Sequence, residues 1–81
     1  MTDKIVVLVT CGSAREAKKI ARAVVDARLA ACANILTSPV KSIYRWKGNV
    51  ETASEVVVVI KSTRKRFPAL EREIRRVHSY E

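Results

Sequence analysis

The chain has 81 residues, 48% of them hydrophobic, and carries sixteen lysines and arginines against eight aspartates and glutamates, a formal charge of +8. This length bounds it at one small domain, residues 1–81, near the lower limit for a core that folds alone, and the apolar content argues against disorder. The longest apolar run, Ile5–Val9, is too short to span a bilayer, no basic-then-apolar leader opens the chain, and two cysteines are too few for a disulfide scaffold, so a reducing, cytoplasmic setting is expected.

Ile5–Val9 is a continuous, mostly β-branched run, the pattern of a strand covered on both faces. Thr10-Cys11-Gly12 breaks it. Ser13 and Glu16 stand at capping-box spacing, and Ala17, Ile20, Ala21, Val24, Val25 and Arg28 follow at helical intervals. A helix from Ala14 to Arg28 is predicted, with Arg15, Lys18, Lys19 and Arg22 toward water. Arg28-Leu-Ala-Ala-Cys-Ala-Asn34 then turns helix into strand with small side chains, which lets backbones approach closely.

A second strand is predicted over Ala33–Leu36, interrupted by Ser38-Pro39, because proline removes a ladder donor and holds its predecessor extended. From Val40 the pattern alternates, with Val40, Ser42, Tyr44 and Trp46 on one face and Lys41, Ile43, Arg45 and Lys47 on the other. Gly48-Asn49 reads as the turn, Val50–Glu55 as the returning strand, and Val56–Ile60 as its buried continuation, so a long hairpin projects from the globule. Thr63 is placed to cap the last helix, with Pro68 tolerated in its first turn. Phe67, Leu70, Ile74 and Val77 make one apolar stripe, Glu71 can pair with Arg75, and the helix frays near His78-Ser79. The order β-α-β-β-α predicts an α+β two-layer sandwich of the split βαβ, ferredoxin-like kind, with a final strand expected where the chain stops at Glu81. That strand would lie beside Ile5–Val9, leaving a hydrophobic edge open to another chain.

The chemistry-bearing residues are few. Cys11, Cys32 and His78 offer soft thiolate and imidazole donors suited to copper(I) or zinc, without the paired spacing of a preformed site. Cys32 reads better as a small buried side chain. Tyr44 and Trp46, between Arg45 and Lys47, have the make-up of a base-stacking strand, although sharing a face with Val40 points instead to a core or a subunit interface. Arg64, Lys65, Arg66, Arg72, Arg75 and Arg76 form a basic segment, by default a solvated helix face and otherwise a phosphate-binding patch. Gly12-Ser13 at a helix start lacks the lysine and repeated glycines of a phosphate loop, and one histidine at the far end supports no nucleophile–base set, so catalysis is not expected.

With these residues placed, the chain resembles the CutA divalent-cation tolerance family. The likeness runs through Val7–Thr10, Ala17–Ala21, Arg28–Asn34, Ser42–Gly48, Glu51, Glu55, Ile60–Ser62 and His78–Glu81, most specifically in Arg-Leu-Ala-Ala-Cys and Tyr-x-Trp-x-Gly. The resemblance implies a ferredoxin-like homotrimer with projecting hairpins packed between subunits, no established enzymatic activity, and a role in tolerance of copper and other divalent ions, without an obligatory cofactor. It places Tyr44, Trp46 and Glu51 at the intersubunit cleft. The family's copper site uses a cysteine on the first strand and histidines ending the second helix. Those positions are Val9, Val77 and His78 here, so His78 with Cys11 is the partial version left, and His-Ser-Tyr stands for the usual His-Pro-Tyr. Members continue beyond Glu81 with a strand and a helix. Two other readings stay open, a basic nucleic-acid-binding module and a PII-like sensor of a small anion.

Overall fold

A computed structural model of the chain describes residues 2–78. Its elements are β1 (Lys4–Cys11), α1 (Ala14–Asp26), β2 (Cys32–Ile35), β3 (Val40–Trp46), β4 (Asn49–Thr63) and α2 (Phe67–Val77). The strand β4 organises the sheet. Its second half pairs antiparallel with β1, from Cys11 opposite Val56 to Lys4 opposite Thr63. On its other side it pairs with β2, from Ile35 opposite Val58 to Cys32 opposite Lys61. Its first half forms the hairpin with β3, from Val40 opposite Glu55 to Trp46 opposite Asn49. Five steps along the chain from Ile35 to Val40 therefore match three along β4, from Val58 to Glu55. The two surplus residues fall in the segment holding Ser38-Pro39, where the missing proline N–H ends the ladder.

The core lies between the helices and one face of the sheet. Ile20, Val24, Val58, Ile60 and Leu70 are fully buried, with Ala17 and Cys11 beside them. Deleting one of the large members removes both transfer energy and packing, about 2–5 kcal/mol for a Leu or Ile truncated to Ala. The capping box forms as expected: Glu16 N–H donates to Ser13 Oγ at 3.1 Å, and Glu16 Oε1 reaches one residue past the cap to accept from Gly12 N–H at 3.3 Å. On α2, Leu70 is buried, Ile74 and Val77 are half-buried, and Glu71 pairs with Arg75 at 3.3 Å.

Four expectations need correction. The first is that β1 is not covered on both faces: Ile5, Val7 and Val9 pack inward, while Val6 and Leu8 are 61% and 68% exposed. An unbroken β-branched run carries no alternation, so periodicity cannot separate a one-sided strand from a two-sided one. The same applies to Val56–Ile60, where Val57 and Val59 are only half-buried. The second is that α1 ends two residues early, because Arg28 adopts φ +61. Arg28 N–H donates to the Val25 carbonyl and Leu29 N–H to the Val24 carbonyl, both at 3.0 Å. This is the Schellman closure with arginine where glycine is usual.

The third correction concerns the hairpin turn, which is Lys47-Gly48 rather than Gly48-Asn49. Both residues have positive φ, +51 and +83, as a type I′ turn requires to match the strand twist. The last is that α2 starts at Phe67 with Arg66 as its cap, and Thr63 Oγ1 instead accepts from Arg66 N–H at 3.4 Å, fastening the preceding turn. Ser79, Tyr80 and Glu81, which the sequence reading placed in the fraying end and the family motif, lie outside the described residues.

Candidate functional site

The end of β1 brings Cys11 and His78 to one corner. Cys11 closes β1 against Val56 and is fully buried. Its thiol lies 3.6 Å from the Val56 carbonyl and 3.8 Å from the Ser13 carbonyl. Burial pushes the Cys11 thiol pKa up, the nearby Glu16 and Glu55 carboxylates push the same way, and the Ser13 backbone contact opposes them. The group is therefore a neutral thiol at physiological pH, and ligation would require a cation able to displace its proton. Glu55 is itself buried, at the junction of hairpin and core.

His78 follows the last turn of α2. Its N–H donates to the Ile74 carbonyl at 2.8 Å, and the extended backbone there turns the chain out of the helix. Ring Nε2 sits 2.8 Å from the Thr10 carbonyl. A carbonyl only accepts, so Nε2 carries the proton and Nδ1 is the basic nitrogen of the neutral ring. His78 is thus held one residue from Cys11 across a strand–helix contact that spans 68 positions of sequence.

The corner is an incomplete metal centre. Among the described residues no three of His, Cys, Asp and Glu gather closely enough to hold one ion. A thiol protected by burial and one imidazole do not make the three- or four-donor shell that copper or zinc favours. Cys32 does not complete it. It pairs with Lys61 while Cys11 pairs with Val56, five residues away along β4, a separation of about 16 Å at strand spacing. Both thiols are free, as that separation requires.

Tyr44, Trp46 and Glu51 all fall on the projecting hairpin, with Tyr44 directly opposite Glu51. Trp46 is 57% exposed, with the Lys47 ammonium 5.7 Å from its ring centre. Neither aromatic covers this chain's own core. Sequence reasoning missed that Ile43 and Val50 are exposed as well, at 71% and 63%. Val6 and Leu8 on β1 are further exposed aliphatic residues, elsewhere on the sheet. The signal was present in the alternation of β3, where Ile43 falls on the face opposite Tyr44.

The basic segment is divided by the fold. Arg64, Lys65 and Arg66 occupy the turn before α2, and Arg72 is exposed on the helix. Arg75 is paired with Glu71, and Arg76 makes a two-pronged contact with Glu73 at 2.8 and 2.9 Å. That contact holds the Glu73 carboxyl below its ordinary range. Two of the three helical arginines of the patch are therefore paired within α2. No helix of the described residues is long and apolar enough to cross a membrane.

Comparison with known proteins gives this geometry its context. The profile of the CutA1 divalent ion tolerance protein family matches residues 5–81. Protein CutA of Mus musculus is 51% identical over 73 residues, which are 90% of this chain and 41% of the mouse protein, so the chain spans about two-fifths of that relative. The divalent cation tolerance protein of Thermus thermophilus superposes with a TM-score of 0.91 at 42% identity, covering 95% of this chain and 74% of its own. The protein of Archaeoglobus fulgidus, described as periplasmic, superposes with a TM-score of 0.89 at 34% identity, covering 95% of this chain and 74% of its own. The α+β sandwich is thus the ferredoxin-like fold those structures share. The chain belongs to the CutA1 divalent ion tolerance protein family.

Proposed function

We propose that the protein serves divalent metal-ion tolerance by binding rather than by turnover, as a cytoplasmic homotrimer. The family match over residues 5–81 carries this reading. Three further features support it. Cys11 and His78 meet at one corner as a partial donor pair for copper or another soft divalent ion, with Glu16 and Glu55 lending negative charge. A partial set suits weak contact that ligands from a second subunit would complete. Exposed Leu8 on β1, and Tyr44, Trp46 and Glu51 on one face of the hairpin, offer surface that such subunits would share.

The metal reading is tested by copper(II), copper(I) and zinc titrations of the protein and of the His78→Ala variant. Loss of a binding site in the variant is expected, because the neutral thiol alone is a poor ligand. Equal affinities for the two proteins would remove His78 from the site.

A further inference from the structure

At the end of the sheet opposite Cys11 and His78 lies an open cavity of about 690 Å³. Its charged lining residues are Lys4 from β1, Arg28 from the α1–β2 joint, Lys61 from β4 and Arg66 from the turn before α2. Among the described residues no carboxylate lines it. Asp3 lies 3.4 Å from the Lys4 ammonium, and both of those side chains are largely in solvent. Between the cations the wall is apolar, made by Val6, Val25 and the small Ala30-Ala31 pair.

The cavity is built rather than incidental. Ser62 Oγ donates to the Leu29 carbonyl at 2.6 Å, and Ala31 N–H donates to the Lys61 carbonyl at 2.9 Å. These two bonds fix the joint that carries Arg28 against β4. Arg66 Nε donates to the Arg28 carbonyl at 3.2 Å, holding one cationic side chain over the backbone of another. Arg28 itself stands in the left-handed region, a costly conformation for a residue with a side chain. Four cationic residues from four segments line the cavity, so an anion entering it meets side chains of one sign. The volume is that of a small-molecule site, and the apolar wall gives a bare inorganic ion nothing to bind.

We propose that this cavity binds a small organic phosphate, with the phosphate groups among Lys4, Arg28, Lys61 and Arg66 and the apolar body against Val6, Val25 and the alanines. Arginine and lysine supply charge-assisted hydrogen bonds to phosphate oxygens, arginine by its planar fork. The site lies at the far end of the sheet from the metal corner, so either assignment stands or falls without the other.

The experiment is calorimetric titration of the 81-residue protein with ATP, adenosine and pyrophosphate at fixed salt. Saturable binding of ATP is expected, with pyrophosphate and adenosine each at least tenfold weaker. Arg28→Gly and Lys61→Gln should each weaken ATP tenfold or more. Neither endangers folding, since glycine is at ease at φ +61 and Lys61 is exposed, and thermal unfolding of both variants verifies this. Lys47→Gln, which removes one positive charge at the remote hairpin turn, should leave ATP affinity unchanged. Absence of saturable ATP binding, pyrophosphate binding as tight as ATP, or an equal loss in Lys47→Gln would each overturn the proposal.

Discussion

Replacing Arg28 with glycine should stabilise the fold, the reverse of what glycine does inside a helix or strand. Arg28 closes α1 at φ +61, where its Cβ crowds the following carbonyl. That conformation costs a residue with a side chain about 1–2 kcal/mol. Glycine occupies it without strain but gives back about 0.5–1 kcal/mol through the greater freedom of its unfolded chain. The net gain is about 0.5–1 kcal/mol, or about 2–8 °C in Tm for a chain of this size. The backbone bonds survive the change, because Arg28 N–H and the Arg28 carbonyl make them and the side chain does not.

Removing the guanidinium also deletes a charge from a cavity lined by Lys4, Lys61 and Arg66, so charge and backbone must be separated. Arg28→Ala deletes the charge and keeps the strain. The difference between the glycine and alanine variants, measured by urea and thermal unfolding at one protein concentration, isolates the backbone contribution. Glycine should exceed alanine by about 0.5–1 kcal/mol, and high salt should leave that gap intact because it does not arise from charge. A glycine variant no more stable than the alanine variant would refute the strain argument.

Cys11 gives a pH prediction. Its folded thiol pKa is raised, so above the ordinary value of 9.0 the unfolded chain loses its proton first, and stability falls as pH climbs toward the folded value. Below 9.0 both states hold the proton and the slope vanishes. Cys11→Ala should flatten the alkaline limb of an unfolding free-energy profile, and an unchanged limb would assign the slope to other groups. In alkylation kinetics at neutral pH, half-buried Cys32 should react first and Cys11 only on unfolding. Leu8→Lys tests the assembly reading: with Leu8 68% exposed, the single chain loses little burial and should fold normally. Light scattering should show a trimer for the parent protein and a smaller species for the variant, and identical masses would place the subunit contact elsewhere.

What could be read from residue order was mainly local. Ser13 with Glu16 announced the start of α1, and Leu70, Ile74 and Val77 announced the inner face of α2, because each signal lies within one helical turn. The break at Ser38-Pro39 was likewise legible from the proline's missing donor. Features that depend on which strand lies beside which were not. The exposure of Val6 and Leu8 follows from helices covering a single face of the sheet, which a uniform β-branched run does not encode. The left-handed turn at Arg28 was hidden because glycine, its usual marker, is absent. The meeting of His78 with Thr10, and the convergence of Lys4 with Lys61, join residues far apart in sequence. No spacing rule reaches that far without the sheet order.

That sheet order also dictates when the protein can take shape. Among the described residues, strands β1 and β2 are not neighbours, and β3 has no partner in the sheet except β4. Every ladder therefore waits for one segment, Asn49–Thr63, in the last two-fifths of the chain. During synthesis α1 can coil as soon as it emerges, but the first half of the polypeptide has no strand pairing open to it. It leaves the ribosome with Ile5–Val9 bare. Once β4 appears, three pairings become available together, so sheet formation should be a single late event rather than a progressive one. Over that interval the apolar stretch nearest the N-terminus is the natural place for a chaperone to hold a chain whose central strand has not yet been made.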